Sequence, residues 1–393
     1  MVQHDSDPGF GKNSFSNNKL SFPGEDGLCV DNIARRMPMA WKSKDLTGKA
    51  CDAWVRTVSD EERAGLIEGL AAFEKTGKPL LESCAHDFPF TNLDRLLADV
   101  RAAVSHELGF IVLRGLPIES LPVERIQTLY WGLCNHFGVL RPQGASSDLI
   151  GNVRDSGGNY RSASGRGYNT NSRLDFHTDM ADLVSLLCIN SAKKGGESRI
   201  ACSISMRNEI SSSAPELLEA LYRNIHYSRK GEEGPEENPY YAAPIFSERD
   251  GLFCCRYVRN HIRYAQEFEG VPAPDCDQVE AMDLLDRLVE SDVFTFDMTL
   301  QPGDMQILNN HVILHSRTDF VDFEETEKKR HLLRSWISTP YSQPLSPALV
   351  EAYHDVSGGS VRGGIVGKKF DEEKKAYTRR AADFHGMPYH APN

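Results

Sequence analysis

Residues 174–184 read LDFHTDMADLV, placing His177 and Asp179 two positions apart in a run that reads as a short β-strand. Side chains at i and i+2 of a strand leave the same face, with Cα atoms roughly 6.5 Å apart, so an imidazole and a carboxylate here can share one ion while Thr178 points away. That pair is two-thirds of the 2-His-1-carboxylate set that binds non-haem Fe(II) and leaves positions open for substrates. Taken alone, it fits hydrogen-bonded polar residues beside a core equally well. Downstream, QPGDMQILNNHVILHSRTDF (301–320) sets His311 and His315 behind a Pro-Gly-Asp turn and an apolar strand, and either histidine can complete the set. In KKRHLLRSWIS (328–338), Arg330 and Arg334 stand four apart on a predicted strand, sharing a face with Leu332 and Trp336. Guanidinium forks match carboxylates, and a buried one without an anion is costly, so this face asks for anions; Asp or Glu of the scaffold is the plainer partner.

Elements must hold these residues in place, and the chain signals them unevenly. SDEERAGLIEGLAAFEKTGK, from Ser59, predicts a helix with a Ser59/Glu62 capping box and Gly77 as its stop. Further helices are predicted over 93–108 and over VERIQTLYWGLCNHFG (123–138), with the strand GFIVLRGLP between them. Beyond residue 140, short strands are predicted at 149–153, 174–179, 184–190, 198–203, 252–256, 294–299, 305–308 and 330–338, interrupted by helices at 206–212, 214–223 and 275–291. The expectation is an α+β fold with a sandwich or double-stranded β-helix (jelly-roll) core and N-terminal and inserted helices. Residues 1–30, rich in Gly, Ser, Asn and Asp, are expected to be disordered. Residues 31–393 are expected to form a single domain, with its core at about 100–340 and a C-terminal extension at 341–393. There DEEKKAYTRRAADFH reads as a solvated helix and VSGGSVRGGIVG as a flexible turn.

With 393 residues, 40% of them hydrophobic, the chain can fill a sizeable core. A formal charge of −12, from 44 Lys plus Arg against 56 Asp plus Glu, argues against nucleic acid or an anionic membrane as partner. Nine cysteines without a CxxC pair suit a reducing cytoplasm, and Cys254-Cys255 reads as buried strand. No apolar run approaches the roughly 20 residues of a membrane span. A homo-oligomer is neither indicated nor excluded.

The ordered set His177-Thr178-Asp179, KKGGESRI (193–200), GDMQILNNHVILHSRT (303–318) and RHLLRSW (330–336) resembles the Fe(II)/2-oxoglutarate-dependent oxygenases of the taurine dioxygenase (TauD/TfdA-like) family. GFIVLRGLP and CNHFGVLRPQ resemble that family's N-terminal segment, and the likeness runs from about 100 to 340. The resemblance implies that His177, Asp179 and His315 bind the iron and that His311 does not. It implies that Arg330 holds the distal carboxylate of the co-substrate 2-oxoglutarate, with Ser198 in place of the family's usual threonine. Arg334 matches the arginine that faces an anionic group of the substrate. Asp175 and Asp182 fall outside the motif and are expected to be scaffold. The implied chemistry consumes O2, releases succinate and CO2, and abstracts hydrogen from a substrate C–H.

Before the first ligand, IGNVRDSGGNYRSASGRGYNTNSRLDFHTD is polar, glycine-rich and carries Arg154, Arg161, Arg166 and Arg173. A long loop beside a site suits binding. Asn152, Arg154, Tyr168 and Asn169 are the expected substrate contacts, and with Arg334 they point to a small amino acid or related organic acid. Hydroxylation, desaturation and ring closure such as aziridine formation all stay open. A zinc-dependent hydrolase and a non-catalytic jelly-roll binding protein are the alternatives, although a hydrolase has no use for a carboxylate clamp.

Overall fold

A computed structural model describes residues 37–48, 53–158, 167–234, 237–367 and 369–390. The expected disordered segment 1–30 and the loop arginines Arg161 and Arg166 lie outside the described residues. In chain order the strands of the first half are β1 (Val55–Thr57), β2 (Phe110–Arg114), β3 (Val139–Arg141), β4 (Gly151–Val153), β5 (Leu174–His177), β6 (Leu183–Asn190), β7 (Lys194–Gly195) and β8 (Ser198–Cys202). The second half holds β9 (Asn224–Ser228), β10 (Tyr240–Pro244), β11 (Phe246–Arg249), β12 (Leu252–Cys255), β13 (Thr295–Met298), β14 (Met305–Asn309), β15 (Ile313–Arg317), β16 (Phe320–Val321) and β17 (His331–Ser338). The α-helices are α1 (Asp60–Thr76), α2 (Asp94–His106), α3 (Val123–Phe137), α4 (Ser203–Ser213), α5 (Pro215–Tyr222), α6 (Arg259–Ala265), α7 (Cys276–Val289), α8 (Val350–Tyr353) and α9 (Glu372–His385).

The larger sheet has the order β1-β2-β14-β6-β17-β3, with β4 also paired to β17. A second sheet has the order β13-β8-β15-β5. Period-2 alternation explains how the larger sheet is buried on both faces. Ile111 and Leu113 of β2, Met305 and Ile307 of β14, and Leu333 and Ile337 of β17 pack in one core with residues of α1, α2, α3 and α9. Phe110, Val112, Leu308, Leu332 and Trp336 belong to a second core, which also contains Phe176, Ile200, Cys202 and Leu314 of the smaller sheet.

Local signals hold where they are short-range. Ser59 accepts from the Glu62 amide, Glu62 accepts from the Ser59 amide, and Gly77 closes α1 in the left-handed conformation at φ 64°. Helix α7 repeats the device with Asp275 and Gln278. The predicted helix at 206–212 begins three residues earlier, at Ser203, and Pro215 opens α5 at a position that needs no amide donor. Cys254 and Cys255 lie buried on β12, as expected. The 174–179 strand ends at His177, so Asp179 lies past the last strand residue. Strand β15, which carries His315, and the β9–β10 hairpin were not expected at all.

Two expectations for the C-terminal segment are corrected. The glycine-rich stretch is a docked strap rather than a flexible turn: Gly363 N–H donates to the Tyr353 carbonyl at 2.8 Å and Gly364 N–H to the Met180 carbonyl at 2.6 Å. The charged helix α9 is solvated on one side only, because Tyr377, Thr378, Ala381 and Ala382 are buried. The Tyr377 hydroxyl donates to Asn135 and accepts from the Leu140 amide, tying α9 to α3 and β3. No helix among the described residues is long and apolar enough to cross a membrane.

Candidate active site

His177 closes β5, and His315 lies directly opposite it on β15. The imidazoles stand 4.3 Å apart, centre to centre. Asp179 completes the cluster, with Oδ1 3.8 Å from His177 Nε2 and Oδ2 3.5 Å from His315 Nε2. One ligand atom from each of the three residues falls within 4.8 Å of the others. Because Asp179 sits beyond the strand, alternation alone does not aim it. Asn310 does, accepting from the Asp179 amide at 2.8 Å and donating to its carbonyl at 2.6 Å.

The donor set fits a divalent first-row metal. Burial, reinforced by the neighbouring His315, pulls the His177 pKa down to about 4, so its imidazole is a neutral donor at physiological pH. His177 Nδ1 is engaged with the Asp175 carbonyl at 2.8 Å, which leaves Nε2 for a metal. Burial opposes ionisation of Asp179, but Arg334 and the two histidines outweigh it and hold the carboxyl far below its usual range. Trp336 Nε1 donates to Asp179 Oδ2 at 2.8 Å and fixes the carboxylate's rotation.

These residues open onto a cavity of about 170 Å³ between the two sheets. His177, Ser198, His315 and Arg317 come from the smaller sheet, and Leu186, Leu332, Arg334 and Trp336 from the larger. Arg330, at the entry to β17, also lines it, and the expected shared face of Arg330, Leu332, Arg334 and Trp336 is present. Arg330 is 5% exposed, and burial lowers its pKa to about 10. Its Nη1 has no hydrogen-bond partner among the described residues. Gly196, at φ +78°, is required beside it, since a Cβ there would meet Arg330 Nε at 2.9 Å. Ser198 Oγ donates to Gln306 at 3.0 Å and borders the same cavity. Arg334 Nε donates to Gln143 at 2.7 Å, its Nη1 lies 3.6 Å from Asp179 Oδ2, and its guanidinium sits 5.6 Å from the centre of the Tyr168 ring.

Of the four loop residues expected to turn inward, Tyr168 lines the cavity and three do not. Register is the reason. Gly151 and Val153 pair with Arg334 and Leu332, so Asn152, opposite Leu333, faces the other side of the sheet and accepts from His331 at 2.8 Å. Arg154 is exposed, with its amide donating to the Tyr168 carbonyl. The Asn169 carbonyl accepts from Ser156 and Gly158, and its side chain packs on Gly158. Arg173 pairs with Glu290. Arg256 and Arg317 line the cavity, and Gln143 holds Arg334 from behind it, without having been singled out by sequence motifs. Arg256 carried no local signal; its Nη1 donates to the Thr178 carbonyl, between His177 and Asp179, at 2.6 Å. Arg317 had one, being two positions beyond His315 on a strand.

The fold and site define a metalloenzyme of the 2-His-1-carboxylate kind. Residues 76–336 match the family model described as taurine catabolism dioxygenase TauD, TfdA family. The chain belongs to that family, and so is an Fe(II)- and 2-oxoglutarate-dependent dioxygenase, an oxidoreductase that uses O2. It is 32% identical over 289 residues to FR-33289 synthase of Streptomyces rubellomurinus, covering 72% of this chain and 85% of that protein. It is 28% identical over 309 residues to the taurine hydroxylase-like protein SAT17 of Stachybotrys chartarum, covering 75% and 77%. Its fold is similar to asparagine oxygenase solved with Fe(II), 2S,3S-3-hydroxyasparagine and succinate, at TM-score 0.57 and 20% identity over 73% of this chain and 94% of that one. The non-heme iron oxygenase OrfP, solved with Fe and alpha-ketoglutaric acid, gives a TM-score of 0.55 at 16% identity over 73% and 95%.

Proposed function

We propose that this dioxygenase oxidises an unactivated C–H of a small amino acid or related organic acid, in a double-stranded β-helix core within a single domain over 31–393. The observation that carries this reading is the meeting, in one cavity, of His177, Asp179 and His315 with the unpartnered Nη1 of Arg330. His177, Asp179 and His315 would hold Fe(II), and Arg330, with the Ser198 hydroxyl turned from Gln306, would hold the distal carboxylate of 2-oxoglutarate. Bound together, metal and co-substrate supply the reduction of O2 that drives C–H oxidation, with succinate and CO2 as by-products.

The chain's own residues then select and orient. Gln143 fixes the Nε side of Arg334, the Tyr168 and Trp336 rings flank its guanidinium and Nη1 lies toward Asp179, which leaves Nη2 for an anionic group of substrate. Leu186, Val258, Leu300 and Leu332 form an apolar wall that keeps water from the reacting carbon. The amino-acid class is supported by the hydroxyasparagine and hydroxyarginine held in the solved relatives. The set of substrate contacts narrows to Arg334 and Tyr168.

Anaerobic addition of Fe(II) and 2-oxoglutarate is expected to give a weak visible charge-transfer band. Its absence in folded, iron-loaded protein would refute the reading. A screen of amino acids and small organic acids for 2-oxoglutarate turnover, with product mass, then separates the outcomes: gain of one oxygen marks hydroxylation, loss of two hydrogens marks desaturation or cyclisation.

A further inference from the structure

Arg330 does not face its end of the cavity alone. Arg317 follows His315 by two positions on β15 and is the direct cross-strand partner of Ser198 on β8, so His315, Arg317 and Ser198 project from one face. All three line the cavity. The Arg317 and Arg330 guanidiniums lie 4.8 and 5.0 Å from the centre of the same ring, Phe320. Arg317 is 5% exposed, and its hydrogen bonds go to backbone carbonyls: Nε to Thr318 at 3.2 Å, Nη2 to Thr170 at 2.8 Å and to Ser172. Its Nη1, like that of Arg330, has no partner among the described residues. Two buried cations beside one ring repel each other and lack hydration, an arrangement that an arriving anion relieves. A carboxylate has lone pairs enough to accept from both.

We propose that Arg317 is a second anion-binding residue, gripping the distal carboxylate of 2-oxoglutarate jointly with Arg330 and Ser198. Through its bonds to Thr170 and Ser172 it also couples co-substrate occupancy to the order of the segment that carries Tyr168. The proposal rests on the 2-oxoglutarate reading above. It makes one guanidinium the link between the two ends of the cavity, because the Tyr168 ring faces Arg334.

The test titrates Fe(II)-loaded protein anaerobically with 2-oxoglutarate and with 2-oxobutyrate, which lacks the distal carboxylate. R317Q is expected to weaken 2-oxoglutarate roughly ten- to hundredfold, as loss of a charge-assisted hydrogen bond does, while changing 2-oxobutyrate by less than about threefold. R317K, which keeps the cation without the fork, should fall between R317Q and the parent and carries the comparison if R317Q does not fold. Both variants should be cut faster by trypsin after Arg173, and 2-oxoglutarate should protect that bond in the parent more than in either variant. Equal weakening of both oxo acids, or unchanged 2-oxoglutarate affinity, would overturn the proposal. A parent protein that binds neither oxo acid would instead sink the functional reading beneath it.

Discussion

Two clusters of imidazole, carboxylate and guanidinium lie close together in this protein and behave as opposites. One is His177, Asp179, His315 and Arg334; the other is Asp182, His311 and Arg362. In the second, Asp182 Oδ1 pairs with His311 Nε2 at 2.9 Å and accepts from Arg362 Nε at 2.7 Å. Its Oδ2 accepts from the Ser338 hydroxyl and the Thr339 amide, and Arg362 spends Nη1 and Nη2 on the carbonyls of Ser357 and Gln343. That cluster is closed on itself. In the first, the nitrogen and oxygen atoms converge on a shared point at the cavity wall, and the nearby Arg330 has an orphaned Nη1. Identical side-chain chemistry becomes scaffold when every lone pair and proton is satisfied internally, and a metal site when some are left for a guest.

Breaking the open cluster should have the largest effect. H177A or D179A is expected to abolish iron retention and the anaerobic band while leaving the melting temperature near the parent's, read by metal analysis and calorimetry. Breaking the closed cluster should do the reverse. R362L leaves a buried carboxylate without its cation, and is expected to cost about 3–5 kcal/mol of stability in urea unfolding, while folded protein still binds iron. The closed cluster also sets an acid limit. Burial opposes ionisation of Asp182, but Arg362 and His311 override it and hold its pKa down to about 2, so stability present above the unfolded value of about 3.9 is lost as pH falls through that window. Burial likewise lowers the pKa of His311, so the unfolded chain takes up a proton first and stability already declines as pH drops below about 6.5. A melting temperature flat between pH 7 and 3 would contradict this account.

A smaller effect is expected where the open cluster is only steered. W336F removes the donor to Asp179 Oδ2 and should weaken Fe(II) binding about ten- to hundredfold, measured by competition with a chelating dye, with little change in unfolding. The smallest belongs to a residue first expected at the substrate. N152A lies on the far face of β17's partner strand and should shift stability by less than about 1 kcal/mol and leave KM for substrate unchanged. A raised KM would return Asn152 to the site.

Much of the candidate site was legible because its first half is local. His177 and Asp179 are two residues apart, although Asn310 rather than strand alternation aims Asp179, and Arg330, Leu332, Arg334 and Trp336 follow strand periodicity, so their shared face could be read directly. The same rule, applied to β15, would have added Arg317 to His315, and applied to β4 would have separated Asn152 from Val153. Neither strand was fully delimited in advance: β15 is only five residues long and follows a turn, and β4 is three.

The sequence by itself determined the helix caps, the strand faces, the ligand types and, through the ordered motifs, the family. Tertiary structure decided which faces meet. Periodicity states which side chains point together, but carries nothing about partners such as Asp182, 129 residues from His311 and 180 from Arg362. That pairing commits His311 to the scaffold, while His315 meets His177 and Asp179 at the cavity. With the Gly363 and Gly364 amides, it also turns a glycine-rich C-terminal stretch, which reads as mobile by composition, into a docked strap anchored by the buried Arg362.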